Sequence, residues 1–226
     1  MTIKVPKFIN YFSKSVIGVV SSIFSVTIIT KILASSFGPG TIGIFALLRE
    51  YIKLFNQFFS LKSSEVLVQQ LRQNKNSINR NKIISSIVSL ILAISLISLL
   101  TILLVSPFFK DFILSILRLN SLFEFYTIIL IGILGSTNII FIAFLNANYN
   151  FFNISISESI SYFSIMILTF LFPYWFSDRQ GILMLFLGLY SIWISINLYY
   201  VIKKKLFSNI KINLSSINFS NSNTFL

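Results

Sequence analysis

Arg49, Glu50 and Lys53 stand within five residues of one another near the middle of Ile42–Leu61, an apolar segment long enough to cross a bilayer. A charged side chain at that depth costs at least roughly 2.5–3.5 kcal/mol on insertion scales, so three of them require shared water, a partner or a ligand. At 100° per residue, Ala46, Arg49, Glu50, Lys53, Asn56, Gln57 and Ser60 fall on one arc of about 120°. Leu47, Leu48, Tyr51, Leu54, Phe55, Phe58 and Phe59 fill the remainder. The first face suits water or substrate, and the second suits lipid and neighbouring helices. Arg49 and Lys53 lie four residues apart, a spacing at which like charges repel unless an anion sits between them. The pattern therefore predicts a cavity wall that receives an anion. The plainer alternative pairs Glu50 with Lys53 at i,i+3 and lays the segment in the membrane interface instead of across it.

The elements that must carry this seam follow from composition. Of 226 residues, 55% are hydrophobic and 11% charged, a balance that excludes an ordinary soluble domain. Continuous apolar windows of about 20 residues recur along the chain, which favours membrane helices over the period-two alternation of a barrel. The expected architecture is all-α, a bundle of about six transmembrane helices spanning 1–205, with 206–226 as a polar, mobile tail. The predicted spans are Ser15–Ala34, Ile42–Leu61, Ile83–Ser106, Leu122–Ala147, Ile154–Phe176 and Gly181–Ile202. With both termini cytoplasmic, roughly twelve Lys/Arg lie inside against about three in the outer connectors, the expected positive-inside bias.

Several functions are excluded or made remote. The chain has no Cys and no His, so thiolate nucleophiles, imidazole bases and the usual zinc ligand sets are missing, and no metal or other cofactor is expected. No phosphate-cradling glycine motif is present, so an enzyme is not expected. The net charge of +12 arises mostly from residues flanking spans, where orientation and anionic lipid account for them, so nucleic acid is not an expected partner. The outer acids Asp111, Glu124 and Asp178 are scattered through short connectors, which disfavours a glycosyltransferase.

Lys4, Lys7 and Lys14 precede the first apolar run, and Ala34-Ser35-Ser36 would pass as a cleavage site, but the run is long for a signal peptide and reads as an uncleaved span. Gly18, Ser22 and Ser25 form a small-residue stripe for helix packing. Lys31 either snorkels to the interface or caps the Arg49 cavity. Ser36-Phe37-Gly38-Pro39-Gly40-Thr41 makes a tight turn, Val66, Leu67, Val68 and Leu71 suggest a short amphipathic helix on the membrane surface, and Asn74–Asn81 reads as a loop. Phe108–Ser121 is expected to be an interfacial connector. Glu158, about one turn inside the fifth span, is a candidate for ion coupling or for pairing with a basic residue of another span.

Ser25-Val26-Thr27-Ile28-Ile29-Thr30-Lys31-Ile32-Leu33, followed by the glycine turn and Ile42-Gly43-Ile44-Phe45-Ala46-Leu47-Leu48, resembles the opening of the polysaccharide flippases. These are the O-antigen and lipid-linked oligosaccharide exporters of the multidrug/oligosaccharidyl-lipid/polysaccharide superfamily. Ala143, Asn146, Ala147 and Asn148 at the end of the fourth span fit the same pattern, whereas Ala34 and Ile42 replace a Gly and a Tyr usual in the family. The resemblance implies alternating access without a nucleotide site, moving an undecaprenyl-pyrophosphate-linked glycan outward across the bacterial inner membrane. It assigns substrate binding to Arg49 and, more weakly, to Lys53 and Lys31; Glu50 and Asn56 join them as candidate substrate-binding residues because they share the polar arc of the segment. Superfamily members carry about twelve spans in two bundles, so the chain looks like an amino-terminal half. A second six-helix half or a second copy of itself is then an expected partner, alongside membrane lipid. The reading from another class is a non-transporting subunit that docks a partner through the charged seam.

Overall fold

The computed structural model describes residues 7–60, 63–73 and 77–204. The tail expected at 206–226 lies outside the described residues. Among the described residues eight α-helices follow one another: α1 (Lys7–Phe37), α2 (Pro39–Ser60), α3 (Ser63–Gln73), α4 (Ser77–Val105), α5 (Lys110–Leu117), α6 (Leu122–Ala147), α7 (Phe151–Leu171) and α8 (Arg179–Lys203), with a 3-10 turn at Pro173–Phe176. No strand occurs among the described residues.

Among the described residues four helical stretches are long and apolar enough to cross a membrane: Val16–Phe37 of α1, α6, α7 and α8. A fifth arises if Ala93–Val105 of α4 and α5, bent by 110°, count as one broken span. With 26 residues at 1.5 Å each, α6 is about 39 Å long, enough for a hydrocarbon core of about 30 Å. Every 18-residue stretch of α2 contains Arg49, Glu50 and Lys53, so α2 does not qualify by composition. The expected six spans require α2 and α4 to cross as well.

The large side chains left exposed have the character of a lipid-facing exterior: Leu104, Phe108, Phe170, Tyr174 and Trp175 are all at least two-thirds exposed. Inside, α1 runs along α7, α2 along α6, and α8 against both α6 and α7. Leu33, Leu48, Ile52, Phe59, Ile128, Ile131, Ile182 and Leu183 form the core they share, where Phe45 stacks on Phe186 at 5.0 Å between centroids. Small residues set the closest approaches. A Cβ on Gly18 would stand 2.7 Å from Glu158 Oε2 and 3.0 Å from Ser155 Cα, and one on Gly132 would stand 2.7 Å from Phe55 Cβ. Gly18 of the predicted stripe thus packs α1 onto α7, and Gly132 packs α6 onto α2.

Several local readings are corrected. The turn is a single residue, Gly38, at φ +83° and hydrogen-bonded to the Ala34 carbonyl; α2 starts at once with Pro39, whose missing N–H costs nothing in a first turn. The helix expected on the membrane surface is α3, but Leu67 and Leu71 bury against Ala143, Phe144 and Ala147 of α6, because the apolar stripe finds protein there. The loop expected over Asn74–Asn81 gives way to helix from Ser77. Within Phe108–Ser121, α5 buries no residue and ends at Arg118 in a left-handed conformation. Tyr51 Oη donates to the Leu117 carbonyl at 2.9 Å, tying this connector to α2.

Glu124 and Asp178, which the sequence scatters among connectors, are helix caps. Ser121 Oγ accepts from Glu124 N at 3.3 Å while Glu124 Oε2 accepts from Asn120 N at 3.0 Å, and Asp178 accepts from Gly181 N at 2.7 Å. Glu124 is buried and lies 3.9 Å from Arg179, which joins the starts of α6 and α8.

Gly132→Val is expected to destabilise the bundle by about 1–3 kcal/mol, the usual cost of overpacking, read as a lower thermal midpoint of the purified protein in detergent. Gly43→Ala, whose added carbon meets nothing within 4 Å, is expected to leave that midpoint intact.

Candidate functional site

Five helices surround a cavity of about 320 Å³. Val26 and Ile29 of α1, Phe45 and Ile52 of α2, Ile165 of α7 and Leu185, Phe186 and Leu189 of α8 supply its apolar wall. The polar lining comes from Arg49, Lys53 and Asn56 of α2, Asn138 of α6, Tyr162 of α7 and Tyr190 and Trp193 of α8. On α2 these positions follow from helical spacing: 45, 49, 52, 53 and 56 recur every three or four residues and so share one side.

Gly135 makes the interior of this site possible. A Cβ there would lie 2.8 Å from Asn56 Nδ2 and 3.0 Å from Tyr190 Cε1, so the missing side chain admits both. Asn56 lies beside Tyr190 in the space this leaves. Asn56 Oδ1 and Trp193 Nε1 are buried with no hydrogen-bond partner among the described residues. An orphaned acceptor and an orphaned donor lining one cavity call for a polar occupant, since leaving them unpaired costs about 1–3 kcal/mol each. Trp193 is flanked by two phenols, with centroids 6.1 Å from both Tyr162 and Tyr190. Below them Asn197 Nδ2 donates to Asn138 Oδ1 at 2.8 Å, a buried amide pair that joins α8 to α6.

Arg49 is exposed at the cavity edge and within electrostatic reach of Tyr162 and Tyr190. Among the described residues it forms no salt bridge. Its guanidinium therefore keeps its fork of donors available for a carboxylate or phosphate. Lys53, also at the edge, pairs with Glu50 at 3.7 Å; the two side chains are 62% and 66% exposed, so the bridge is a loose one on the helix surface.

The residues singled out from the sequence thus separate into groups. Arg49, Lys53 and Asn56 meet at the cavity, with Glu50 beside Lys53 on the outer face. Lys31 is exposed and takes no part in the lining. Glu158 lies between α7 and α1, against Gly18 and beside Ser22, near the Ser21–Ser159 hydroxyl pair at 2.5 Å. It is outside the cavity, one helical turn from Tyr162.

Tyr162, Tyr190, Trp193 and Gly135 belong to the site although the sequence reading passed over them. The available signal was aromatic residues with polar tips in the middle of spans, away from the interfaces where they usually gather. No protein-family model, curated protein or solved structure matches this chain, so its chemistry rests on the cavity itself.

Since the chain lacks cysteine, single thiols report cleanly. Arg49→Cys is expected to react several-fold faster with a charged, water-soluble methanethiosulfonate than Leu54→Cys, whose side chain sits on the apolar flank of α2. Equal rates would mean that the cavity edge is not wetted.

Proposed function

We propose that this chain is a multi-pass membrane transporter of the flippase type, which carries an anionic, lipid-linked oligosaccharide across the bacterial inner membrane for polysaccharide or O-antigen synthesis. The observation that carries the reading is the cavity: an unpaired guanidinium and a lysine at its edge, amide and phenol groups within, in a bundle whose exterior is apolar. An anion leaving bulk water needs charge-assisted donors, and Arg49 can supply two in parallel. Asn56, Tyr162, Tyr190 and Trp193 offer hydrogen bonds and aromatic faces for a polar group attached to that anion. The resemblance of the first two spans to polysaccharide flippases points to an undecaprenyl-pyrophosphate glycan as the cargo. In this reading α2 and α4 cross with the other four helices and both termini are cytoplasmic. The lipid tail stays in the bilayer and no covalent bond is made or broken.

The outward exposure of Glu50 and Lys53 favours a second reading, a non-transporting subunit that docks a partner through the seam. The two part on Arg49, which a docking role does not need in the cavity.

Expressed in a bacterium lacking its own polysaccharide flippase, the wild-type chain is expected to restore surface glycan. Arg49→Ala at equal membrane levels is expected to lose most of that rescue, with Arg49→Lys retaining part because charge survives and bidentate geometry does not. Failure of the wild type across several glycan backgrounds, despite stable insertion, would sink the transport reading for the chain acting alone.

A further inference from the structure

One face of α2 is left without a neighbour among the described residues, and its composition is specific. Gly43, Ala46, Glu50, Lys53 and Gln57 are all exposed. They are spaced by three, four, three and four residues and fall within an arc of about 80°. A Cβ on Gly43 would meet nothing within 4 Å. The opposite face of the helix is occupied, with Phe45, Leu48, Ile52 and Phe59 in the core. To one side of the seam, Leu54 and Phe58 are more than half exposed and suited to lipid. Alternation of three and four is the period of two helices packed in a left-handed coil, and small residues at one end of such a seam let two backbones approach closely.

We infer that this face is a self-association surface, on which α2 of one copy packs in parallel against α2 of a second copy. The charges favour a second copy over an unrelated partner. A two-fold axis along the membrane normal brings equal heights together, so Glu50 comes within reach of Lys53 of the partner subunit, and the reciprocal pair forms by symmetry. Two acids and two bases then make a neutral group, which removes from lipid the charges that a lone α2 would present to it. Gly43 and Ala46 allow the contact on the apolar side of these charges, and Gln57 continues it as an interhelical hydrogen-bonding residue. Arg49 is left out of the seam and stays at the cavity edge, so the dimer closes the outer side of Lys53 without occupying the site. The inference stands apart from the transport reading, since it rests on α2 alone.

Because there is no native thiol, the test is direct. Single-cysteine chains carrying Ala46→Cys, Gln57→Cys, Leu54→Cys or Phe58→Cys are oxidised in native membranes with copper phenanthroline and resolved without reductant. Ala46→Cys and Gln57→Cys are expected to give a species of twice the chain mass, several-fold more than Leu54→Cys or Phe58→Cys, since a disulfide requires Cα atoms within about 7 Å. Adding Gly43→Leu to Gln57→Cys is expected to reduce that yield strongly while the chain remains folded, because the new side chain projects into open space. Equal cross-linking at all four positions, none at the seam positions, or an adduct of a different mass would each overturn the inference. None of these readouts depends on glycan transport.

Discussion

Where Phe55 of α2 lies against Gly132 of α6, the two backbones approach so closely that any side chain at 132 would collide. One helical turn further along α6, Gly135 repeats the arrangement with Asn56 and Tyr190. These two contacts fix the rotation of α2 about its own axis. That rotation in turn decides which side chains enter the cavity and which face outward: Arg49 and Asn56 go in, Glu50 and Gln57 go out. A helix held only by an apolar stripe could turn by tens of degrees at little cost. One keyed by two glycines cannot, because an interior packed to crystal-like density has few voids to absorb the movement.

The bundle treats its polar groups in a consistent way. In the spans, Thr30, Ser136, Ser161 and Thr169 return their hydroxyls to carbonyls three or four residues earlier on the same helix. A serine so satisfied is compatible with an apolar setting, which explains how α7 carries so many of them. Asn138 and Asn197 satisfy each other in part, and Glu124 is spent on a cap and on Arg179. Among the described residues five buried side-chain polar atoms stay without a partner: Ser25 Oγ, Ser89 Oγ and Asn197 Oδ1 away from the cavity lining, and Asn56 Oδ1 and Trp193 Nε1 within it, where Arg49 at the edge forms no salt bridge. Buried polar groups are normally bonded, so an orphaned acceptor and an orphaned donor lining one cavity suit it to a polar occupant.

Much of this was legible in the residues. The extent of α6 follows from its long, largely apolar run between Ser121 and the asparagines after Ala147, and the polar arc of α2 is visible in its spacing. What could not be read was which helices close around that arc. Besides α1 and α6, the partners of α2 in the cavity come from α7 and α8, about a hundred residues or more further along the chain, and no local period encodes that meeting. Lys31 and Glu158 illustrate the limit. Both are charged groups in spans, yet one is exposed and the other is absorbed into the α1–α7 seam, a difference set by tertiary contacts. The start of α4 differs for a simpler reason: 77–81 is polar enough to pass as loop, whereas the apolar stripe of α3 was legible as a helix and only its burial against α6 was not.

The linkage between α1 and α2 has a mechanical meaning. Two rods of 31 and 22 residues are joined by Gly38 alone, in a conformation that side-chain-bearing residues rarely adopt. A longer linker would let either rod tilt while the loop absorbed the displacement. Here there is no slack, so any swing of α2 away from α6 must be taken up by the two torsions of a single residue or passed on to α1 and, through Gly18, to α7. The two rods behave as the arms of a hinge with one pin, and the cavity lies between the arms.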